Sequence, residues 1–336
     1  MSTDQNLTNH GVEIVTPGLY TTVQDLGRTG YYNQGLPPSG AMDVYSLIAG
    51  NLLVGNPEDA AGLECALLGP TMVFRDRRWV AVTGAAMTPA VDKEPRPLNQ
   101  AFVVEPGQTV TFGPAVAGAR AYVAISGGID VPVVLGSRST YALGSLGGLD
   151  GRQLQAGDVL PLGTPATPAN PDQEIPEHLR TPLLRTAELR IMRGLHDHLV
   201  TPDSLSAFFE SPWQVASEAD RIGYRLKGGP KLEYIEREQP FGAGDDPSNI
   251  TDACYPVGSI QVPAGKEPII LHRDAVSGGG YMMVGAVISA DMHLIGQLPP
   301  GATIQLVEVD LDAALAARKE RNDLTAEIRE LVAASN

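Results

Sequence analysis

The chain has 336 residues, a formal net charge of −15 and a pI near 4.8. That balance argues against a nucleic-acid binder, which carries a basic stripe, and the densest basic stretch is only Arg75-Asp-Arg-Arg78. Hydrophobic residues make up 43%, enough for one large core or two ordinary ones. No apolar run reaches the roughly 18 residues of a membrane span, and the polar opening MSTDQNLTNHG lacks the features of a signal peptide. No membrane is therefore expected, and the cytoplasm is the expected location.

Residues 1 to about 11 read as lying outside the core. Val12–Val15 alternates as a first strand, and Thr16-Pro-Gly18 turns the chain. The next stretch, Gly18 to Asp43, is GLYTTVQDLGRTGYYNQGLPPSGAMD. Its glycines permit positive φ or close approach, and its polar side chains suit either a small-molecule site or a long connection capped by Asp, Asn and Ser. Asp43 is placed to cap a helix running to Val54, with Val44, Leu47, Ile48 and Leu52 on one face. From Ala61 to Leu160 short apolar runs predict strands at Ala66–Leu68, Thr71–Phe74, Trp79–Thr83, Phe102–Val104, Thr109–Phe112 and Ala121–Ile125. Such spacing argues for an antiparallel barrel or sandwich.

Gly163 to Pro182 holds five prolines and reads as a linker. A second block follows, with a helix at Pro202–Phe209. Its strands are predicted at Ala187–Met192, Arg225–Lys227, Ser259–Val262, Pro268–His272, Tyr281–Val284 and Thr303–Val309. Pro106-Gly-Gln-Thr-Val-Thr-Phe and Pro300-Gly-Ala-Thr-Ile-Gln-Leu echo each other faintly. Leu311 to Ala334 predicts an amphipathic helix with Leu315, Leu324, Ile328, Leu331 and Val332 on one face. The expected division is 11–165, a linker at 166–186, 187–310, and the helix 311–336.

Several residues are chemically suggestive. Arg28, framed by Gly27 and Gly30, suits recognition of a carboxylate or phosphate, or else braces the loop against Asp25. Glu64 stands in an apolar run, so it is either a base with raised pKa or paired to an arginine such as Arg28 or Arg138. Ser126-Gly-Gly and Gly136-Ser-Arg-Ser-Thr140 offer backbone N–H groups to an oxyanion. His272 suits acid–base work or a structural role. His196 and His198 form an i, i+2 pair without a visible third metal ligand. Cys65 reads as a core residue and Cys254 as a free thiol. Neither a phosphate-binding Gly-x-x-x-x-Gly-Lys loop nor a Gly-x-Ser-x-Gly elbow occurs.

The Gly18–Asp43 string resembles the opening signature of the biotin-dependent carboxyltransferase, or allophanate hydrolase subunit 2, family. The likeness continues in Ser126–Asp130, Gly136–Thr140, Gly151–Asp158, Asp220–Arg225, Gly258–Pro263, Gly278–Tyr281, Ala290-Asp291 and Gln297–Gly301. It covers about Gly11 to Val309. The resemblance implies a mainly β chain of two cyclophilin-like barrels with a few helices and a C-terminal helix. It implies the C component of an ATP-dependent 5-oxoprolinase-type complex that opens a small lactam. Its partners would be an allophanate hydrolase subunit 1 homologue (the B component) and an A component, with ATP and Mg used by the complex. Carboxyl transfer from carboxybiotin to urea is the alternative, with biotin supplied in trans because no Met-Lys-Met sequence is present. A non-catalytic chain that completes its partner's cleft is a third reading.

Residues and resemblance together nominate Gln24, Asp25, Arg28, Asp43 and Glu64 as catalytic. They nominate Gln34, Ser39, Asn51, Ser126, Arg138, Ser139, Gln261, Asp274 and Tyr281 as substrate-binding, with no metal ligands. Departures from the family pattern cluster late, at Ile250–Cys254, Ala275–Ser277 and Met282. They point to a shared mechanism with a different amide or lactam.

Overall fold

The computed structural model describes residues 10–166 and 169–334. They divide into two compact units. One takes the chain up to Thr29, then Ser39–Leu183 and the segment from Asp323; the other takes Gly30–Pro38 and Leu184–Asn322. The signature loop is thus shared, because its middle nine residues group with the second unit.

The first unit contains β1 (Val12–Thr16), β2 (Tyr20–Gln24), α1 (Val44–Leu53), β3 (Gly62–Ala66), β4 (Thr71–Phe74), β5 (Arg78–Gly84), β6 (Pro89–Val91), β7 (Glu94–Pro95), β8 (Ala101–Val104), β9 (Thr109–Phe112), β10 (Arg120–Ile125) and β11 (Val159–Leu160). They form a six-stranded sheet, β11-β1-β4-β9-β6-β7, and a five-stranded sheet, β2-β3-β10-β5-β8. Alternate residues of both point into one core, among them Val12, Ile14, Val23, Leu63, Met72, Phe74, Val80, Val82 and Val123. Such period-two patterning is why these strands were visible in the sequence. Two findings differ from expectation. Tyr20–Gln24 is a strand, and the strand expected at Ala66–Leu68 ends at Ala66, where Leu67 turns to φ 58°.

Helix α1 packs on β5 and β10. Asp43 caps it, accepting from Ser46 N at 3.1 Å. Buried residues run all round it, Tyr45, Ser46, Ala49 and Gly50 included, beyond the one apolar face expected, so it is an internal helix. Gly50 permits this, since a Cβ there would stand 3.2 Å from Thr83 Oγ1 and 3.3 Å from Ala124 Cβ.

Of the stretch 166–186 expected as a linker, residues 167 and 168 lie outside the described residues. The rest is not loose chain. Ile175 and Leu179 are buried with Tyr45, Ala49 and Ala81 in a second cluster of the first unit, and Ile175 N donates to Asn99 O at 2.9 Å. The apolar pair within a proline-rich stretch provides the anchor that composition concealed.

The second unit contains β12 (Thr186–Arg193), α2 (Pro202–Glu210), β13 (Trp213–Val215), β14 (Gly223–Lys227), β15 (Asn249–Cys254), β16 (Ser259–Gln261), β17 (Ile269–Leu271), β18 (Gly278–Tyr281), β19 (Met283–Val287), α3 (Met292–Gln297) and β20 (Thr303–Glu308). Seven of these strands close a barrel in the order β12-β19-β16-β17-β14-β13-β20, and β15 pairs with β18 in a separate ribbon. Closure removes unpaired edges, and β12 joins β20 in parallel to complete the ring. The mainly β class with a few helices therefore stands.

Helix α4 (Leu311–Ala333) follows. Its Ala314 and Ala317 pack with Ile288 and Ala290 in the second unit. Leu324, Ile328, Leu331 and Val332 join the first unit's cluster. Leu315, expected on that buried face, is 42% exposed. The first turns of the helix bury alanines instead, which sit closer to the surface beneath.

His293 on α3 is kept neutral. Burial, reinforced by Arg321, pushes it down to about 3. An unfolded histidine takes up its proton near 6.5, so unfolding binds a proton between those values. Stability is therefore full above about pH 6.5 and falls on acidification, by at most ~1.4 kcal/mol per pH unit from this group. Urea midpoints at about pH 7 and pH 5 should differ less in His293→Gln than in the wild type. Equal differences would contradict the assignment.

Candidate functional site

The densest polar cluster in the first unit forms where the end of β2 meets the loop 137–140. Asp25 is 7% exposed, and its carboxylate is enclosed by that loop. Oδ1 accepts from Ser137 Oγ at 2.6 Å, Ser139 Oγ at 2.5 Å and Gly27 N at 2.8 Å, while Oδ2 accepts from Arg138 N at 2.5 Å. Asp25 N in turn donates to Ser139 Oγ at 2.9 Å. Arg28 grips the same loop, as Nη2 donates to Ser139 O at 2.5 Å. Asp25 and Arg28 thus both hold the same segment.

Gln24 fastens the two flanks. Its Nε2 donates to Thr22 Oγ1 at 2.9 Å and Thr140 O at 3.2 Å, and its Oε1 accepts from Gly40 N at 3.1 Å. Gly40 has φ 84°, and a Cβ there would lie 2.7 Å from Gly27 N, so only glycine lets these loops touch. Beside it, Ser39 is buried with φ 51°, and its hydroxyl has no protein partner.

A second network lies on the α1 face of the five-stranded sheet. Strand register sets Glu64 directly opposite Thr22 and Tyr122, and Tyr122 opposite Thr83. Glu64 Oε2 accepts from Tyr122 Oη and Met42 N, both at 2.8 Å, and Arg120 Nε stands 3.6 Å from Oε1. Glu64 thus has Arg120 as an ion-pair partner. Tyr122 Oη also accepts from Asp43 N at 2.7 Å. Burial, then the charges of Glu64 and Asp43, raises the Tyr122 phenol well above its ordinary range, so it stays protonated and donates to Glu64. Asp43 further accepts from Ser46 Oγ at 2.6 Å and Thr181 Oγ1 at 3.2 Å.

Other nominated residues fall away from these networks. Asn51 Nδ2 donates to Glu58 O and Ala60 O at 3.1 and 2.8 Å, closing the turn after α1. Ser126 Oγ accepts from Trp79 N at 3.0 Å, which occupies the loop read as an oxyanion holder. Gln34 is exposed in the turn Tyr32–Gln34 and groups with the second unit. Arg138 is the nominated side chain that remains reachable in the loop, 34% exposed and steered by Val131 O at 2.9 Å and Asp130 at 2.6 Å.

In the second unit, Asp274 makes a two-pronged pair with Arg221 at 2.7 and 3.1 Å, and both are buried. Tyr281 is 42% exposed. Its backbone N donates to Tyr255 Oη at 2.8 Å, and burial raises the Tyr255 phenol, which Gln261 also hydrogen-bonds. His272 is buried, its Nδ1 accepting from Arg273 N at 2.9 Å, as a structural histidine does. His196 stands at the mouth of a short 3-10 turn, not on a strand, and its Nδ1 accepts from Met283 N at 3.2 Å. Among the described residues no group of three or more His, Cys, Asp or Glu is arranged to hold a metal ion.

Tyr122, Arg120, Ser137 and Thr181 were missed in the sequence. Tyr122 was findable once β3 and β10 were paired, because register alone sets it beside Glu64.

Comparison with known proteins then decides the family. The carboxyltransferase domain family, subdomains A and B, matches residues 34–308. The chain belongs to that family. It is 38% identical over 322 residues to urea amidolyase of Lachancea kluyveri, covering 92% of this chain and 17% of that protein. It is 36% identical over 310 residues to the 5-oxoprolinase C subunit of Escherichia coli, covering 92% of this chain and 95% of that protein. Urea amidolyase of K. lactis superposes with a TM-score of 0.89 at 35% identity, over 95% of this chain and 20% of that one. The chain thus spans about a sixth of the urea amidolyases it matches. Among the described residues no helix is long and apolar enough to cross a membrane.

Asp25→Ala would strand four donors around a buried space. We expect it to cost at least about 3 kcal/mol of stability in urea unfolding. Tyr122→Phe should cost about 1–3 kcal/mol by leaving Asp43 N without its acceptor and removing one of the donors to Glu64. Losses below ~0.5 kcal/mol for both would contradict these roles.

Proposed function

We infer that the chain acts as the C component of a 5-oxoprolinase-type complex, in which a small lactam is opened at the expense of ATP. The observation that carries this reading is coverage. The two relatives named as 5-oxoprolinase C subunits align along 95% and 100% of their own length, so nearly every segment of them has a counterpart here. The proposed partners are a B component of the allophanate hydrolase subunit 1 type and an A component. ATP with Mg would serve the complex as a whole.

Within that reading the chain's own residues divide by exposure. Arg138, held on a loop that Asp25, Ser137 and Ser139 fix, is the cation offered to a substrate carboxylate or a developing oxyanion. Gln24, Asp25, Arg28, Asp43 and Glu64 are positioning residues, since each already holds a segment of the fold through a hydrogen bond. Ser39, whose buried hydroxyl has no protein partner, is the further candidate in the first unit.

Carboxyl transfer from a biotin carrier supplied in trans to urea or a related amide is the second reading. The family description and the 38% identity to a urea amidolyase favour it. Both readings share a small amide as substrate.

Co-expression with the partner chains and an ATP-hydrolysis assay separate them. Stimulation by 5-oxoproline or another lactam without biotin is the expected result, with Arg138→Ala lowering kcat/KM roughly 100-fold or more. Activity that appears only with a biotinylated carboxylase and urea would overturn the lactam reading. Unchanged turnover in both Arg138→Ala and Ser39→Ala would favour a scaffold role.

A further inference from the structure

Four turns meet at one end of the first unit: 17–19 between β1 and β2, 67–70 between β3 and β4, 85–88 between β5 and β6, and 113–119 between β9 and β10. Backbone hydrogen bonds tie them together. Leu19 N donates to Leu68 O at 3.1 Å, Ala115 N to Leu67 O at 2.8 Å and Val116 N to Ala86 O at 3.0 Å, while Ala86 N donates to Ala117 O at 2.8 Å. Leu68 and Pro114 are bridge partners. The approach is close, since a Cβ at Gly18 would stand 2.3 Å from Leu68 O. A partner meeting this end finds a surface already ordered, with little conformational entropy left to lose.

Two properties set this end apart. Its turns offer apolar side chains to solvent, for Leu19 is 61%, Leu68 40% and Val116 77% exposed, and Pro114 is exposed as well. Single exposed apolar residues are ordinary, but a group of them on joined turns marks an interaction site. The end is also uncharged. None of the residues 14–24, 65–74, 79–91 and 106–119 carries a charge, in a chain with 19% charged residues and a net charge of −15. The exposed polar side chains on these segments include the neutral threonines Thr16 and Thr88.

Charge selects the occupant. A net charge of −15 keeps two copies of the chain apart and repels nucleic acid and anionic lipid. A charged counterface would be desolvated here with no opposite charge to meet it. A different polypeptide with an uncharged, apolar face is the occupant that fits. We propose that this end of the first unit is the surface on which the B component of the complex docks. Leu19, Leu68 and Val116 form the apolar centre of the interface, and the threonines belong to its rim. The identity of the partner rests on the function proposed above.

The test is isothermal titration calorimetry of the full chain with the purified allophanate hydrolase subunit 1 homologue of the same organism. Leu19→Asp combined with Val116→Asp should weaken Kd roughly 100-fold or more, because it buries two unpaired charges. Leu19→Ser combined with Val116→Ser should weaken it about 10-fold. Leu195→Asp, at an exposed position of the second unit, should bind as the wild type does. A ten-fold rise in salt should change the wild-type Kd by less than about three-fold, since no charge pair is screened. Thermal melting confirms that each variant is folded; if the aspartate pair is not, the serine pair decides. Absent wild-type binding, unchanged affinity in the paired variants, an equal loss in Leu195→Asp or a strongly salt-dependent Kd each overturns the docking face. So does a dimer of the chain alone that Val116→Asp dissociates in sedimentation equilibrium, which would give the face to a second copy. Binding and turnover are read separately. A complex that these variants break, yet that leaves every lactam untouched, overturns the proposed function alone. A complex that turns over a lactam and tolerates the variants overturns the docking face alone.

Discussion

The carboxylate of Asp25 is a buried anion surrounded by four hydrogen-bond donors, and the shape of the first unit's polar cluster depends on it. Burying a carboxylate is unfavourable unless its lone pairs are filled, and three of the four donors come from Ser137, Arg138 and Ser139. The loop 137–140 therefore has one low-energy arrangement, and that arrangement turns the Arg138 guanidinium outward toward Asp130. Arg28 and Gln24 add further holds from the β2 side. The result is a partly exposed guanidinium, paired with Asp130, on a loop held from several sides.

The sheet beneath repeats the logic at larger scale. Its inner face is apolar, and its outer face carries the row Thr22, Glu64, Tyr122 and Thr83, covered by α1. An internal helix over a polar row is stable only if the row is satisfied. Tyr122 does this by donating to Glu64 and accepting from Asp43 N, which also sets the start of α1. The helix cap, the buried glutamate and the signature loop are consequently one connected hydrogen-bonded assembly.

Much of this was legible in advance, for identifiable reasons. Strands such as Trp79–Thr83 and Ala121–Ile125 alternate between two environments, so their period survives in the sequence. The Asp43 cap is a local signal. Partners far apart in the chain were not legible: Asp25 with residues 137–139, or Glu64 with Arg120 and Tyr122, because only strand pairing brings them together. That residues 30–38 group with the second unit was not legible either, because nothing local in Gly18–Asp43 marks the division. The packing of the proline-rich stretch was not legible because Ile175 and Leu179, its anchors, are outnumbered by residues typical of loops.

The most direct test of the Asp25 clamp is a double-mutant cycle in urea unfolding, combining Asp25→Asn with Ser137→Ala. If the carboxylate holds the loop, the two losses should be non-additive by more than about 1 kcal/mol. Additivity within about 0.3–0.5 kcal/mol would mean that the loop is held in place by something other than Asp25.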